Sequence, residues 1–285
     1  VLTANIEQQD VGGRPVYLHV CNNGDDAQAA KVESILKSMK GLAGYRLRTF
    51  HDNPGGFARF YMMQDAVQEF SVDHFVMLDD DIQLPAPDGL RDLLAEARPQ
   101  EYNSWWGRHF KGPMADYHSS RLTPPDLKAG KISGVTKFHY AGTGLSVIDA
   151  DIIRFYFPLL DKVRTGGKGE WRGSLFVCLF VQVSLCVNHF YHSRPFSFSL
   201  HPPPKNKQVP DAYRKVEDLW LSYVVHQIGW RVRRIIMSGV NFMEDINLNK
   251  DDASTGLVQA TALWRELKPT KLEMLEDLRM CGWNV

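Results

Sequence analysis

The sequence has few cysteines and no net charge, and both absences exclude common kinds of protein. The four cysteines, Cys21, Cys178, Cys186 and Cys281, form no CxxC pair and no zinc-binding spacing. Lys and Arg together number 33, as do Asp and Glu, so the formal net charge is zero. A neutral chain is poorly suited to general binding of polyanions. We therefore expect no zinc site and no nucleic-acid partner.

Long apolar runs and evenly spread acids are also missing. The most apolar run, Ser174–Val187, is too short to span a membrane and is interrupted by Gln182. Residues 171–210 contain no Asp or Glu. This shift in composition predicts an atypical insertion over 166–210, which we expect to pack poorly. A lid, a partner-binding hairpin and translated intron sequence are the alternative interpretations of this segment.

The chain has 285 residues, enough for one large α/β domain. It begins with Val1 rather than Met, in what reads as the end of a helix, so we expect the natural protein to begin upstream. A membrane anchor would then lie outside this chain. The composition is that of a soluble globular domain, and both a luminal and a cytoplasmic location stay open.

The spacing of apolar residues predicts alternating strands and helices. Strands are expected at Val16–Cys21, Tyr45–Phe50 and Phe75–Leu78, with helices at Ala27–Met39 and Phe57–Phe70 between them. This order indicates a mainly parallel sheet with crossover helices, hence an α/β fold. Further strands are expected at Asn103–Phe110, Ile132–Tyr140, Gly144–Ile148 and Trp230–Met237, and further helices at Pro87–Arg98, Asp149–Leu159, Leu257–Leu267 and Lys271–Met280.

Three adjacent aspartates, Asp79, Asp80 and Asp81, follow the apolar strand Phe75–Leu78. In open α/β sheets, ligands bind at the carboxyl ends of strands. Adjacent carboxylates repel one another, which is costly unless a positive group lies nearby. Mg²⁺ or Mn²⁺ with a bound phosphate is the candidate, since both ions prefer oxygen ligands. The competing interpretation is a solvated acidic turn that caps the next helix.

A second acidic pair, Glu217 and Asp218, begins an amphipathic helix that Gly229 is expected to end. Acids at a helix start are also favoured by the macrodipole, which is a sufficient structural reason for them. A positioned carboxylate can alternatively take a proton from a reacting hydroxyl. Both interpretations are open on the sequence alone.

These motifs, in this order, resemble those of GT-A-fold glycosyltransferases, most closely family 2, the group with galactofuranosyl- and rhamnosyl-type enzymes. The resemblance extends over Val16–Ile236, and the family's usual first strand is absent. It implies a single Rossmann-like domain over 1–285, with 166–210 inserted. The motifs that carry it are Asn22-Asn23-Gly24, Asn53-Pro54-Gly55-Gly56-Phe57-Ala58-Arg59, Asp79-Asp80-Asp81, Gly142-Thr143-Gly144 and Glu217-Asp218.

The resemblance implies a metal-dependent, inverting transfer of a sugar from a nucleotide-diphosphate donor, expected to be a UDP-sugar, to a hydroxyl of a glycan or other acceptor. It implies that Asp79 and Asp81 bind Mn²⁺ or Mg²⁺. Asp218 is the expected general base and Glu217 the second choice. Donor contacts are expected from Asn22, Asn23, Arg59, Asp79 and Asp80. Acceptor contacts are expected from Trp105, Trp106, Gly142, Thr143, Gly144 and Trp220, although paired strand tryptophans are as often core residues.

Two departures from the family keep other functions open. Family members often have Asp where this chain has Asn22, and metal-dependent members often use a late His, whereas none follows His226. Glu244, Asp245 or water would take its place. The missing histidine and the insertion leave a catalytically inactive nucleotide-sugar-binding protein as an alternative. A retaining exostosin-like glycosyltransferase is another, because that group has a similar Asp-rich strand end and Glu-Asp pair. A metal-dependent phosphatase or nuclease is disfavoured, because the first strand lacks the Asp-x-Asp-x-Thr of aspartyl-phosphate enzymes.

Overall fold

The computed structural model describes residues 6–22, 25–51, 54–79, 82–84, 87–108, 121–122, 139–161, 175–181, 216–237, 240–242 and 256–283. The strands are β1 (Val16–Asn22), β2 (Gly44–Thr49), β3 (His74–Asp79), β4 (Ile82–Gln83), β5 (Glu101–Ser104), β6 (Gly107–Arg108), β7 (Arg121–Leu122), β8 (Tyr140–Ala141), β9 (Leu145–Asp149), β10 (Leu175–Val181), β11 (Arg231–Arg234) and β12 (Asn241–Phe242). The helices are α1 (Asp26–Ser38), α2 (Ala58–Glu69), α3 (Gly89–Ala95), α4 (Asp151–Leu160), α5 (Glu217–Gln227) and α6 (Gly256–Met280).

Seven strands form the main sheet, in the order β11-β5-β9-β3-β10-β1-β2. Strands β1, β2, β3, β5 and β11 run in one direction, and β9 and β10 run in the opposite one. The predicted α/β class is confirmed, but the sheet is mixed, since β1–β2 and β5–β11 are its parallel neighbours and the other neighbours are antiparallel. The strands that share one direction end at the same edge of the sheet, which is called the carboxyl edge below.

Strand β10 comes from within the predicted insertion. Leu175–Val181 lies between β1 and β3 and pairs antiparallel with both. The segment 166–210 therefore contributes a strand to the main sheet, which its composition did not predict. The other residues of 166–210 lie outside the described ranges.

The strands contribute to two hydrophobic cores, one on each face of the sheet. In β3, Phe75 and Met77 join a core with residues of α2, α4, α5 and α6, whereas Val76 and Leu78 join a core with residues of α1 and α3. The alternation follows from the two-residue period of a strand. Helices therefore cover both faces, and the carboxyl edge lies between the two layers.

Several predicted boundaries shift in the structure. The predicted strand Asn103–Phe110 is interrupted between β5 and β6, and the two predicted C-terminal helices form one helix, α6, with Pro269 inside it. Of the predicted strand Ile132–Tyr140, residues 132–138 lie outside the described ranges. Gly229 follows α5 with φ of +77°, so its predicted role in ending that helix is confirmed. None of the described helices combines the length and apolarity needed to cross a membrane.

Candidate functional site

Several predicted site residues meet at the carboxyl edge of the sheet. Asp79 ends β3, and Glu217 and Asp218 begin α5. The loop between β8 and β9 contributes Gly144, whose carbonyl accepts the backbone N–H of Asp79 at 2.8 Å. Arg59 enters from the first turn of α2. The fold thus gathers four separate stretches of the sequence at one place.

Arg59 joins two of the acids. Its Nη2 lies 3.1 Å from Asp79 Oδ1 and 3.3 Å from Glu217 Oε1. Because Arg59 is only 1% exposed, these ion pairs are screened by water and salt much less than surface pairs are. Thr143 donates its hydroxyl to Glu217 Oε1 at 3.2 Å. Arg59, Asp79, Thr143 and Glu217 are called the Arg59 cluster below.

Two glycines make room for the carboxylates of this cluster. A β-carbon on Gly56 would lie 1.9 Å from the carboxyl carbon of Glu217, and one on Gly144 would lie 2.8 Å from Asp79 Oδ2. The Gly56 carbonyl also accepts the Nε–H of Arg59 at 3.3 Å. Any larger residue at Gly56 or Gly144 would displace a carboxylate, so both glycines are steric requirements of the site.

Burial changes the protonation of Glu217. It raises the pKa of this carboxyl from 4.5 to about 7; Arg59 opposes the shift, and the charges of Asp218 and Asp79 add to it. The physical cause is the loss of hydration, which disfavours the charged form. Near neutral pH, Glu217 therefore exchanges between its acid and carboxylate forms.

The neighbouring acid, Asp218, has different partners. Its Oδ2 accepts the hydroxyl of Tyr140 and lies 3.4 Å from Lys271 Nζ. The same Nζ lies 3.4 Å from the Tyr140 hydroxyl oxygen and 5.7 Å from the centroid of the Tyr140 ring. All three residues are buried. Tyr140, Asp218 and Lys271 are called the Lys271 cluster below.

Hydrogen bonds between β8 and α5 hold the Lys271 cluster together. Ser222 Oγ accepts the backbone N–H of Ala141 at 3.1 Å and donates to the Asp218 carbonyl at 2.8 Å. This fixes Tyr140, the residue before Ala141, beside the first turn of α5. Successive helical residues point about 100° apart, so Glu217 and Asp218 can face different partners.

Trp106 lies beside the loop of Gly142–Gly144, and its predicted acceptor contact stays a prediction. It packs over the glycine-containing loop, since a β-carbon on Gly142 would lie 2.0 Å from its ring. Its ring meets that of Tyr140 edge to face, with centroids 5.9 Å apart. Trp106 is partly exposed. It is therefore placed to contact a ligand at the carboxyl edge.

The two other tryptophans named as acceptor contacts are buried. Trp105, between β5 and β6, is 3% exposed and belongs to the core beside α1 and α3. Trp220 is 4% exposed, and its Nε1–H donates to the Leu160 carbonyl at 3.2 Å. Both residues are part of the packed interior, and their acceptor contacts stay predictions.

Asn22 is engaged within the fold. It is fully buried at the end of β1, where its amide donates to the Asp25 carbonyl at 3.1 Å and to the Thr49 hydroxyl at 3.3 Å. These bonds join the end of β1 to Asp25 and to β2, and the donor contact of Asn22 stays a prediction. Asn23, its predicted companion, lies outside the described residues.

The predicted metal site is described only through Asp79, because Asp80 and Asp81 lie outside the described residues. The Asp79 side chain is 31% exposed, and a partly exposed carboxylate fits a hard divalent cation that takes oxygen ligands. In the described ranges, no group of three or more His, Cys, Asp or Glu side chains could hold a metal ion. Glu244 and Asp245 are likewise outside them, so the Mn²⁺ site stays a prediction.

The last histidine of the chain is packed in the protein. His226 lies in α5, and its Nε2 is 2.8 Å from the His139 carbonyl. Burial lowers the pKa of His226, which favours the neutral imidazole. This histidine is therefore engaged with the backbone next to β8.

Sequence reasoning missed Tyr140 and Lys271. Lys271 does carry a signal, because it falls on the apolar stripe of α6 with Met274, Leu275 and Leu278. A lysine on a buried stripe needs a buried partner. Tyr140 carries no comparable signal, since its proximity to Asp218 arises only when β8 packs against α5.

No protein-family model matches the chain, and searches of curated proteins and of solved structures give no match. The function is therefore inferred from the motifs and from the geometry of the two clusters.

Proposed function

We propose that the chain is a metal-dependent glycosyltransferase that moves a sugar from a nucleotide-diphosphate donor, a UDP-sugar, to an acceptor hydroxyl with inversion. The observation that supports this most is the convergence of the two acidic motifs. Asp79 and Glu217 are distant in the sequence, yet both contact Nη2 of Arg59. The site thus combines acids suited to a metal-bound donor with an adjacent acid suited to proton transfer.

The Arg59 cluster is the proposed donor side. A divalent cation held by Asp79 and Asp81 would supply positive charge next to the leaving diphosphate. Arg59 holds the Asp79 carboxylate in place through a charge-assisted hydrogen bond and adds a fixed cation on the same side. Trp106, partly exposed over the glycine-containing loop, offers an aromatic face to a sugar ring.

Asp218 is the proposed general base. The acceptor hydroxyl oxygen forms a bond to the anomeric carbon while the bond from that carbon to the diphosphate oxygen breaks. The electron pair leaves with the diphosphate, and the hydroxyl proton passes to the Asp218 carboxylate. Attack opposite the leaving group inverts the anomeric centre. A positioned base of this kind contributes about 10²–10⁴-fold in rate.

A panel of nucleotide-sugar donors tests the reaction class. Wild type, Asp81→Ala and Asp92→Ala are compared with Mn²⁺ and with a chelator, the last variant being a control at an exposed acid of α3. We expect Mn²⁺-dependent UDP release from one donor, lost in Asp81→Ala and retained in Asp92→Ala.

Other results of this experiment would identify the alternatives. Metal-dependent UDP binding without turnover on any acceptor would indicate a nucleotide-sugar-binding protein. A product that keeps the donor's anomeric configuration would indicate a retaining mechanism of the exostosin-like kind. Absence of UDP binding in the presence of Mn²⁺ would contradict the glycosyltransferase proposal.

A further inference from the structure

Lys271 is a buried lysine at the site that no motif assigns. It is 4% exposed, and lysines are rarely buried unless they are paired. Its Nζ lies 3.4 Å from both Asp218 Oδ2 and the Tyr140 hydroxyl oxygen. Helix α6 therefore carries a positive charge to the residue that is proposed as the general base.

Packing of α6 does not explain this charge. Met274, Leu275 and Leu278 already join α6 to the core on that face of the sheet. A buried ion pair generally stabilises a fold no more than apolar residues of similar volume would. An apolar residue at Lys271 would serve packing equally well, so the charge is better explained by the requirements of Asp218.

We infer that Lys271 is a positioning residue for Asp218, an inference that rests on the proposed function. Asp218 Oδ1 accepts the backbone N–H of Leu219 at 2.9 Å, and Oδ2 accepts the hydroxyl of Tyr140. Lys271 places its positive charge beside the same oxygen, and a buried carboxylate is stabilised when a cation and hydrogen-bond donors surround it.

Lys271 and Tyr140 also fix the place of the proton acceptor. Both contact the same oxygen, Oδ2 of Asp218, from α6 and from β8. A general base must remain within hydrogen-bond reach of the hydroxyl from which it takes a proton. Helix α6 is on this account part of the reacting site and not only a closing element of the fold.

Removing the charge of Lys271 should spare the donor side. In the described part of the chain, the cation paired with Asp218 is Lys271, whereas Arg59 pairs with Asp79 and Glu217. Removal of the Lys271 charge therefore leaves the ion pairs of the Arg59 cluster in place. A positioning role predicts a change in kcat with little change in the KM for the donor.

Steady-state kinetics on the full chain test this role. Lys271→Met removes the charge and keeps most of the length, Lys271→Arg restores a charge, and Leu275→Ala loosens α6 without a change of charge. For Lys271→Met we expect kcat to fall at least about tenfold and KM for the donor to change less than about twofold. Lys271→Arg should recover part of kcat, and Leu275→Ala, which keeps the charge, should lower kcat less than Lys271→Met does.

Urea unfolding midpoints give a second readout that needs no donor. Asp218→Asn, Lys271→Met and the double variant form a cycle, and the double variant should lose less stability than the sum of the singles, because each single leaves a buried group without its partner. Additive losses would overturn the pairing, and coupling with an unchanged kcat would overturn the positioning role. If the cycle shows coupling but the wild-type protein has no transferase activity, the proposed function is refuted, and the inference with it.

Discussion

The Arg59 cluster and the Lys271 cluster differ, although their acids are neighbours in the sequence. The Arg59 cluster reaches solvent through Asp79, whose side chain is 31% exposed. The Lys271 cluster is more buried, since Tyr140, Lys271 and Asp218 are 0, 4 and 8% exposed. The Arg59 cluster therefore presents a carboxylate to solvent at the carboxyl edge, whereas the Lys271 cluster holds a single carboxylate beside a cation and a hydroxyl.

This difference shows how two adjacent acids can be given separate tasks. Glu217 shares Arg59 with Asp79, and burial raises its pKa to about 7. Asp218 is paired with a different cation on a different helix. The order Glu-Asp in a sequence does not say which acid does what, because the role of each is set by the partners that the fold provides.

The largest expected effect comes from Asp218→Asn, which disrupts the Lys271 cluster and leaves the Arg59 cluster in place. An amide cannot take the acceptor proton, so transfer should slow by about 10²–10⁴-fold, with KM for the donor little changed. Initial rates at varied donor concentration measure both constants. Asp92→Asn, on the exposed side of α3, is the control. Wild-type kcat in Asp218→Asn would remove this residue from the proposed mechanism.

A smaller effect is expected when Gly56→Ala disturbs the Arg59 cluster. The new β-carbon would lie 1.9 Å from the carboxyl carbon of Glu217, so that carboxylate must move away from Arg59. Misplaced donor contacts should raise KM for the donor about tenfold or more. Gly44→Ala is the matched control at the start of β2. Its β-carbon would lie 3.1 Å from the Tyr17 side chain and so would also crowd a neighbour, but away from the Arg59 cluster. Equal losses in both variants would point to general damage to the sheet.

Glu217 should also make stability depend on pH. Its pKa rises from 4.5 to about 7 on folding, so between these values the folded state binds more protons than the unfolded state. The free energy of unfolding therefore falls as pH rises through this window, and the full loss is reached above the folded pKa. From pH 4.5 to above pH 7, the free energy of unfolding should fall by roughly 1–3 kcal/mol more in wild type than in Glu217→Gln. Urea unfolding of both proteins measures this, and identical pH dependence would contradict the raised pKa.

The smallest expected effect is that of Thr143→Val. The substitution keeps the shape and removes the hydroxyl that donates to Glu217 Oε1 at 3.2 Å. A buried hydrogen bond contributes about 1 kcal/mol, so Tm should fall by a few degrees. Calorimetric unfolding checks the change, with Thr143→Ser as the variant that keeps the hydroxyl. A wild-type Tm in Thr143→Val, or a larger loss in Thr143→Ser than in Thr143→Val, would contradict the contribution of the hydroxyl.

Local pattern was enough to predict the alternating strands and helices from Val16 to Asp79, but not the pairing of the strands. The strand–helix–strand order from Val16 to Asp79 follows from apolar periodicity and is confirmed. The place of Leu175–Val181 was missed because an apolar run carries no information about its partners or direction. Its position between β1 and β3 is decided by long-range pairing alone.

The same limit applies to the site. Asp79 and Glu217 attract notice because each stands at the end of a recognisable element, and Arg59 was named through the resemblance of Asn53–Arg59 to a glycosyltransferase motif. Tyr140 and Lys271 are 131 positions apart and meet only through tertiary packing. Short motifs therefore predicted the acids. The cation of Lys271 and the hydroxyl of Tyr140, which contact Asp218, could be identified only from the structure.

The central claim is that the Arg59 cluster binds a metal–nucleotide donor and the Lys271 cluster transfers the proton. Calorimetric titration of UDP with and without Mn²⁺, on wild type, Asp79→Ala and Asp218→Asn, tests it most directly. The account predicts Mn²⁺-dependent binding in wild type and Asp218→Asn, and its loss in Asp79→Ala. No Mn²⁺-dependent UDP binding in wild type, or a loss in Asp218→Asn that Asp79→Ala does not show, would contradict it.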